Sequence, residues 1–273
     1  MSGEDRPIGV FDSGVGGLTV LRALRRKLPR EHLLYLGDTA RVPYGTKSAA
    51  SVTRYALQAA RALVERDIKL LVIACNTASA VALEALASHH EAVPVIGVVR
   101  PGAEAACRVS KTGRIAVIAT ESTVRGGAYQ DAIRALRPSA RITARACSLF
   151  VALAEEGWIE GPLVEGIAAR YLKPDFGTAD RDRPDVLVLG CTHFPVLAPA
   201  IANVVGRDVE LVDSAATTAV AVQDLLGRSG LGRTSGRGDV RFLATDGTER
   251  FRRVGERFFG ERIDSGAVEL IDL

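Results

Sequence analysis

Aromatic side chains make up only 5% of this 273-residue chain, which leaves few platforms on which single-stranded nucleic acid could stack. An excess of one charge is missing as well. Against 32 Asp and Glu stand 35 Lys and Arg, a net +3, and the basic residues are scattered rather than gathered into a stripe. Nucleic acid is therefore not expected as a partner. No apolar run approaches the roughly 20 residues that cross a bilayer. The opening Met1 to Pro7 lacks the basic and apolar regions of a secretory leader. The four cysteines, Cys75, Cys107, Cys147 and Cys191, form no Cys-x-x-Cys pair, so free thiols in a reducing cytoplasm are expected, with no membrane association. No metal site is expected either. Cys191-Thr192-His193 offers two ligands at cramped spacing, and no further Cys/His cluster completes a tetrahedron.

What is present is a large apolar fraction, 47%, enough for one large or two modest domains. Apolar, β-branched runs alternate with helical patterns, the signature of stacked βαβ units. Strands are expected at residues 8–11, 33–36, 70–74 and 95–98. Helices are expected at 18–28, 49–66 with Ser48 as N-cap, and 78–88. Arg100-Pro101-Gly102 is punctuation, and a second series follows, with strands at 115–119, 142–146 and 186–189, a helix at 163–172 and a polar connection at 173–184. Ile8 to Leu28 has a counterpart in Ile115 to Leu136, which suggests a structural repeat. The expected fold is α/β, with two pseudo-symmetric domains, each a mainly parallel sheet flanked by helices, and an active site in the crevice between them. The first domain is expected over 1–98 plus 209–273 and the second over 99–208. The tail adds a strand at 209–212, a helix at 215–226, a flexible Gly/Ser/Arg connection at 227–238, a strand at 240–244, and a helix at 250–259. An Asp246/Glu249 capping box opens that last helix and Gly260 ends it.

The chemistry gathers after the strands. In Phe11-Asp12-Ser13-Gly14-Val15-Gly16-Gly17 an acid at a strand's carboxyl end is followed by glycines and a helix, which brings a carboxylate and backbone N–H groups to the rim of the crevice. A dinucleotide fingerprint fails because Thr19 holds the third glycine position, and a P-loop fails for want of Gly-Lys-Ser/Thr. An aspartyl phosphotransfer site would want a second acid where Gly14 stands. An anion-binding turn beside a carboxylate survives. Asp38 is likewise an acid just past a strand, followed by the turn Pro43-Tyr44-Gly45, whose backbone and phenol can either touch a ligand or merely shape a loop.

Two segments repeat one device: Leu70-Leu71-Val72-Ile73-Ala74-Cys75-Asn76-Thr77 and Val186-Leu187-Val188-Leu189-Gly190-Cys191-Thr192-His193. Each places a thiol just beyond a buried strand, where an α/β sheet opens its binding crevice. A lone cysteine there is commonly a small core residue; the repetition points instead to two thiols facing one substrate. Backbone N–H groups and a helix dipole would draw each toward the thiolate, with Asp12 near Cys75 and His193 near Cys191 as proton partners. Cys107 and Cys147 lack such a setting and read as packing.

These motifs together, with Val42-Pro43-Tyr44-Gly45 and Cys191-Thr192-His193-Phe194-Pro195, resemble the cofactor-independent aspartate/glutamate racemases, and among them the glutamate racemases, over essentially the whole chain. The resemblance implies two similar α/β domains with the active site between them, no cofactor, and a homodimer. It implies inversion of glutamate by two bases, one cysteine removing the α-proton while the other supplies one to the opposite face, to provide D-glutamate for peptidoglycan. By the same resemblance Asp12 assists Cys75, His193 assists Cys191, and Glu155 is an acid near the second cysteine. The substrate would be held by Asp12 with Ser13, Asp38, Pro43, Tyr44 with Gly45, Asn76 with Thr77, Thr120 and Thr123, and Thr192 with His193. Ser148, Ala152 and Arg100 depart from the family's habit, outside the thiol motifs. Aspartate racemisation is the near alternative, and a cofactor-free decarboxylase is disfavoured by retention of both thiols. Gyrase inhibition, known for some glutamate racemases, is a non-enzymatic addition.

Overall fold

The computed structural model describes residues 4–177 and 182–273. The first half alternates β1 (Ile8–Asp12), α1 (Leu18–Lys27), β2 (Leu33–Gly37), α2 (Ala49–Val64), β3 (Leu70–Ile73), α3 (Asn76–His89) and β4 (Val95–Gly97). The second runs α4 (Val99–Val109), β5 (Arg114–Ala119), α5 (Glu121–Gly126), α6 (Ala128–Leu136), β6 (Arg141–Ala146), α7 (Leu149–Glu156), α8 (Pro162–Phe176), β7 (Val186–Gly190), α9 (Ala198–Val205) and β8 (Glu210–Asp213). The tail contributes α10 (Ser214–Ser229), β9 (Val240–Ala244), α11 (Thr248–Phe259) and β10 (Val268–Leu270).

Two sheets result, in the orders β10-β9-β2-β1-β3-β4 and β6-β5-β7-β8, and their strand pairs are parallel. Every residue of β1, β2, β3 and β7 is buried. Helices cover both faces, and that is why these strands read as unbroken apolar runs rather than as alternation.

Strand order fixes where a ligand can sit. In the first sheet the chain passes from β1 to β2 on one side and then to β3 on the other; in the second it passes from β5 to β6 and then to β7. Connections diverge at both places, opening a crevice at the carboxyl ends of the strands. Phe11 lies in register with Ile73, and Ala119 with Gly190. Asp12 and Cys75 therefore lie at the carboxyl edge of the first sheet, and Thr120 and Cys191 at that of the second. The repeat read from sequence is thus a repeat of topology.

Several expectations change. The strand near 209–212, expected in the first domain, is β8, and it pairs with β7 in the second sheet. The chain rejoins the first sheet only at β9, after α10 has packed against both α1 and α4. Helix α3 starts at Asn76 with Cys75 at its N-cap position, two residues earlier than expected, so the first free N–H groups of the helix lie beside the thiol. The connection at 227–238 is anchored rather than loose. Lys69 Nζ donates to Leu231 O (2.7 Å) and Arg233 N to Glu31 Oε1 (2.7 Å), while Lys69 and Glu31 form a buried ion pair at 2.6 Å. Helix α8 continues through Pro174 to Phe176, and residues 178–181 of the expected polar connection lie outside the described residues. No capping box forms on α11: Gly247 takes the N-cap position, the Asp246 side chain accepts from Gly247 N (2.7 Å), and Glu249 faces Arg252. The Ser48 cap on α2 forms, accepting from Ser51 N.

Candidate active site

Both crevices open into one cavity of about 370 Å³, lined by Cys75 from the first half and Cys191 from the second. Its wall also carries Ser13, Pro43, Tyr44, Gly45, Asn76, Thr77, Thr120, Glu155, Thr192 and His193. Three expected ligand residues do not reach the wall. Asp12 is fully buried behind it. Asp38 is an anchor for the loop, accepting from Tyr44 Oη (2.5 Å) and from Thr245 Oγ1 (2.9 Å). Thr123 is buried behind the wall, its hydroxyl 3.0 Å from that of Thr120 and 3.3 Å from that of Thr77. Cys107 and Cys147 lie away from the cavity, Cys147 wholly in the core.

On the first side, Gly14 N donates to Asp12 Oδ2 (2.9 Å), while Asp12 Oδ1 has no hydrogen-bond partner. Burial raises the Asp12 carboxyl above its usual value, against the opposing pull of His193 and three backbone N–H groups. Cys75 Sγ lies 3.6 Å from Ser13 Oγ. The sequence suggested a thiol drawn toward the thiolate, yet burial first, and the Asp12 charge second, push Cys75 up to about 12; the Ala78 N–H and the Ser13 hydroxyl offset only part of this. At rest Cys75 is a thiol, and it needs a base to ionise.

The second side is a relay. Cys191 Sγ is 3.8 Å from His193 Nδ1, His193 Nε2 is 3.1 Å from Glu155 Oε1, and Arg250 on α11 reaches Glu155 Oε2 at 2.8 Å. Arg257 donates to the Glu155 carbonyl (2.7 Å), and Phe258 meets the His193 ring edge-on at 5.1 Å. Burial opposes a charged His193, but hydrogen bonds to Cys191 and Glu155 outweigh it and raise the imidazole to about 10. The His193 hydrogen bond, helped by Arg250, holds Glu155 down to about 2 despite desolvation. A cationic imidazole is thus held next to the second thiol.

The halves meet closely. A Cβ at Gly16 would collide with the His193 ring and the Thr192 hydroxyl, so the glycine turn after β1 is required by a close approach across the cavity floor. Thr19, the residue that spoils the dinucleotide fingerprint, shares its hydroxyl proton between Gly16 O (2.9 Å) and Thr192 O (3.0 Å). Sequence reading missed part of the wall: Gly14, Val42, Thr46, Ser148, Val151 and Ala152. Ser148 and Ala152, read there only as departures from the family, face the ligand space. It missed Arg250 and Tyr129 too. Tyr129 Oη donates to Asn76 Oδ1 (2.6 Å) and leaves Asn76 Nδ2 without a partner. Neither carries a local sequence signal, because both act across long separations in the chain. Among the described residues no group of three or more His, Cys, Asp and Glu could hold a metal ion, and no helix is long and apolar enough to cross a membrane.

Two parallel-sheet halves that bring one thiol each to a shared cavity have the architecture of an amino-acid racemase, and the chain is an enzyme of that class. Residues 8–222 match the profile of the Asp/Glu/hydantoin racemase family, and the chain belongs to it. A glutamate racemase of Geobacter metallireducens is 50% identical over 259 residues, 94% of this chain and 94% of that protein. The crystal structure of Francisella tularensis glutamate racemase in complex with D-glutamate matches with a TM-score of 0.90 at 37% identity, covering 98% of each chain. That of the Thermus thermophilus enzyme with β-chloro-D-alanine matches at 0.88 and 46% identity, covering 99% of this chain and 98% of the other.

Proposed function

We propose that this enzyme interconverts L- and D-glutamate by a two-thiol mechanism without a cofactor. The observation that carries the reading is the pair of thiols on one cavity, each with its own proton partner: Asp12 behind Cys75 and His193 beside Cys191. In one direction Asp12 takes the Cys75 proton and the thiolate removes the α-proton from one face of the substrate. Cys191 then gives its proton to the opposite face, and His193 resupplies it. One C–H bond breaks and one forms, so no net proton is consumed. The reverse direction exchanges the roles.

Glutamate's carboxylates require donors, and the start of α3 supplies Asn76, Thr77 and the positive end of a helix dipole beside Cys75. Hydrogen bonds to the α-carboxylate would stabilise the developing carbanion, a contribution that grows as water is excluded. The Thr77 and Thr120 hydroxyls, 3.0 Å apart, offer a second polar patch. The family resemblance further suggests a cytoplasmic homodimer that feeds D-glutamate to peptidoglycan synthesis; sedimentation of the purified chain tests the dimer. For the reaction, incubation with L-glutamate or L-aspartate in deuterated water, with no added cofactor, should convert glutamate faster and deuterate it at Cα. Faster exchange of aspartate would transfer the assignment to that amino acid.

A further inference from the structure

We infer that Tyr129 is a positioning residue that decides which end of the Asn76 amide meets the substrate. The inference rests on the proposed role of Asn76 in holding glutamate. Asn76 is buried, opens α3 next to Cys75, and lines the cavity. Its two ends are in different situations: Oδ1 accepts from Tyr129 Oη at 2.6 Å, while Nδ2 has no partner. A buried amide donor left unpaired is destabilising because it has lost its water without gaining a partner, a penalty that a carboxylate oxygen in the cavity removes.

An amide side chain is nearly the same shape after a 180° turn, so a neighbour must choose its orientation. Tyr129 makes that choice. Its phenol is fully buried, and burial raises its pKa further above the usual value, so the hydroxyl stays protonated and able to donate. A donor at that point demands Oδ1, and the NH2 group is left for the ligand space. Had Oδ1 faced inward, it would repel a substrate carboxylate.

The phenol itself is held from two sides by backbone. A Cβ at Gly102 would lie 3.2 Å from the Tyr129 ring, and one at Gly190 would lie 3.0 Å from it. Gly102 is on α4, and Gly190 immediately precedes Cys191. Tyr129 lies on α6 of the second half and Asn76 on α3 of the first. One hydrogen bond therefore links the second thiol's strand to the carboxylate donor beside the first thiol.

Tyr129→Phe keeps the ring in its slot and deletes only the hydroxyl. The Asn76 amide then loses its orienting partner, so KM for glutamate should rise about tenfold with kcat changed less than about twofold, the pattern of lost binding common to ground and transition states. Because Tyr129 acts through Asn76, the substitution should add nothing further to KM in an Asn76→Ala background. In the unaltered chain, titration with D-glutamate should shift the Asn76 side-chain NH2 resonances, a readout that needs no variant. A normal KM in Tyr129→Phe, where Asn76→Ala alone raises it, overturns the inference and leaves the glutamate site standing. An equal KM increase in both backgrounds also overturns it, since the phenol would then act independently of Asn76. A normal KM in Asn76→Ala, or NH2 resonances indifferent to glutamate, removes Asn76 from the site and takes the inference with it.

Discussion

Glu155→Gln isolates the relay behind the second thiol, since it preserves shape and removes only the charge that faces His193 and Arg250. In the native protein the His193 hydrogen bond, with Arg250 behind it, moves the Glu155 carboxyl from 4.5 to about 2, which corresponds to about 3 kcal/mol at most. His193 is raised from 6.5 to about 10, but Cys191 contributes to that displacement first, so Glu155 is the cleaner measure of the pair. The two shifts act on opposite sides of neutrality. A depressed carboxyl stabilises the fold above about 4.5, and that stabilisation is lost as pH falls toward 2. A raised imidazole stabilises it below about 6.5, and that is lost as pH rises through 10. The deficit of Glu155→Gln relative to the native chain should therefore be greatest between pH 4.5 and 6.5 and smaller at pH 3 and at pH 9.5. Urea midpoints across that range measure it. A deficit independent of pH, or greatest at pH 9.5, would refute the charge relay and reduce Glu155 to a packing residue.

Cys75→Ser and Cys191→Ser should each abolish racemisation while leaving the circular dichroism spectrum intact, whereas Cys107→Ser and Cys147→Ser should retain turnover; equal losses in all four would indicate structural damage rather than chemistry. Lys69→Met, which strands Glu31 in the core at the far end of the first sheet, should lower stability by about 3–5 kcal/mol. The folded fraction should keep its KM for glutamate, as steady-state kinetics beside urea unfolding would establish.

The strands were legible because parallel sheets covered on both faces write themselves as apolar runs, and the thiols because each follows such a run directly. The pairing order was not. Nothing in Glu210 to Asp213 says whether it adds to the first or the second sheet, since partner choice depends on what α10 bridges. Composition also misled at residues 227–238, where the Leu231 carbonyl, the Arg233 N–H and guanidinium, and the half-buried Leu231 side chain supply the anchors. In the site, motif residues next to the thiols were readable, but the α7 wall at Ser148, Val151 and Ala152 came from a distant segment with no pattern of its own. Asp38 and Asp12 were recognised as acids past strand ends. Their actual partners, Tyr44 and Thr245 for one and the glycine turn for the other, are products of tertiary packing. Burial at Cys75 overrode the helix-terminus argument because desolvation acts on the whole thiolate, while one N–H stabilises only part of it.

Two thiols that act on opposite faces of one α-carbon must exchange its proton with solvent as they invert it. Exchange at Cα, followed by NMR and chiral chromatography with L-glutamate in deuterated water and no added cofactor, reads this out. The native enzyme should yield D-glutamate deuterated at Cα, and Cys75→Ser and Cys191→Ser should yield none. Racemisation that persists in either variant, or its absence in the folded native chain, would contradict the account.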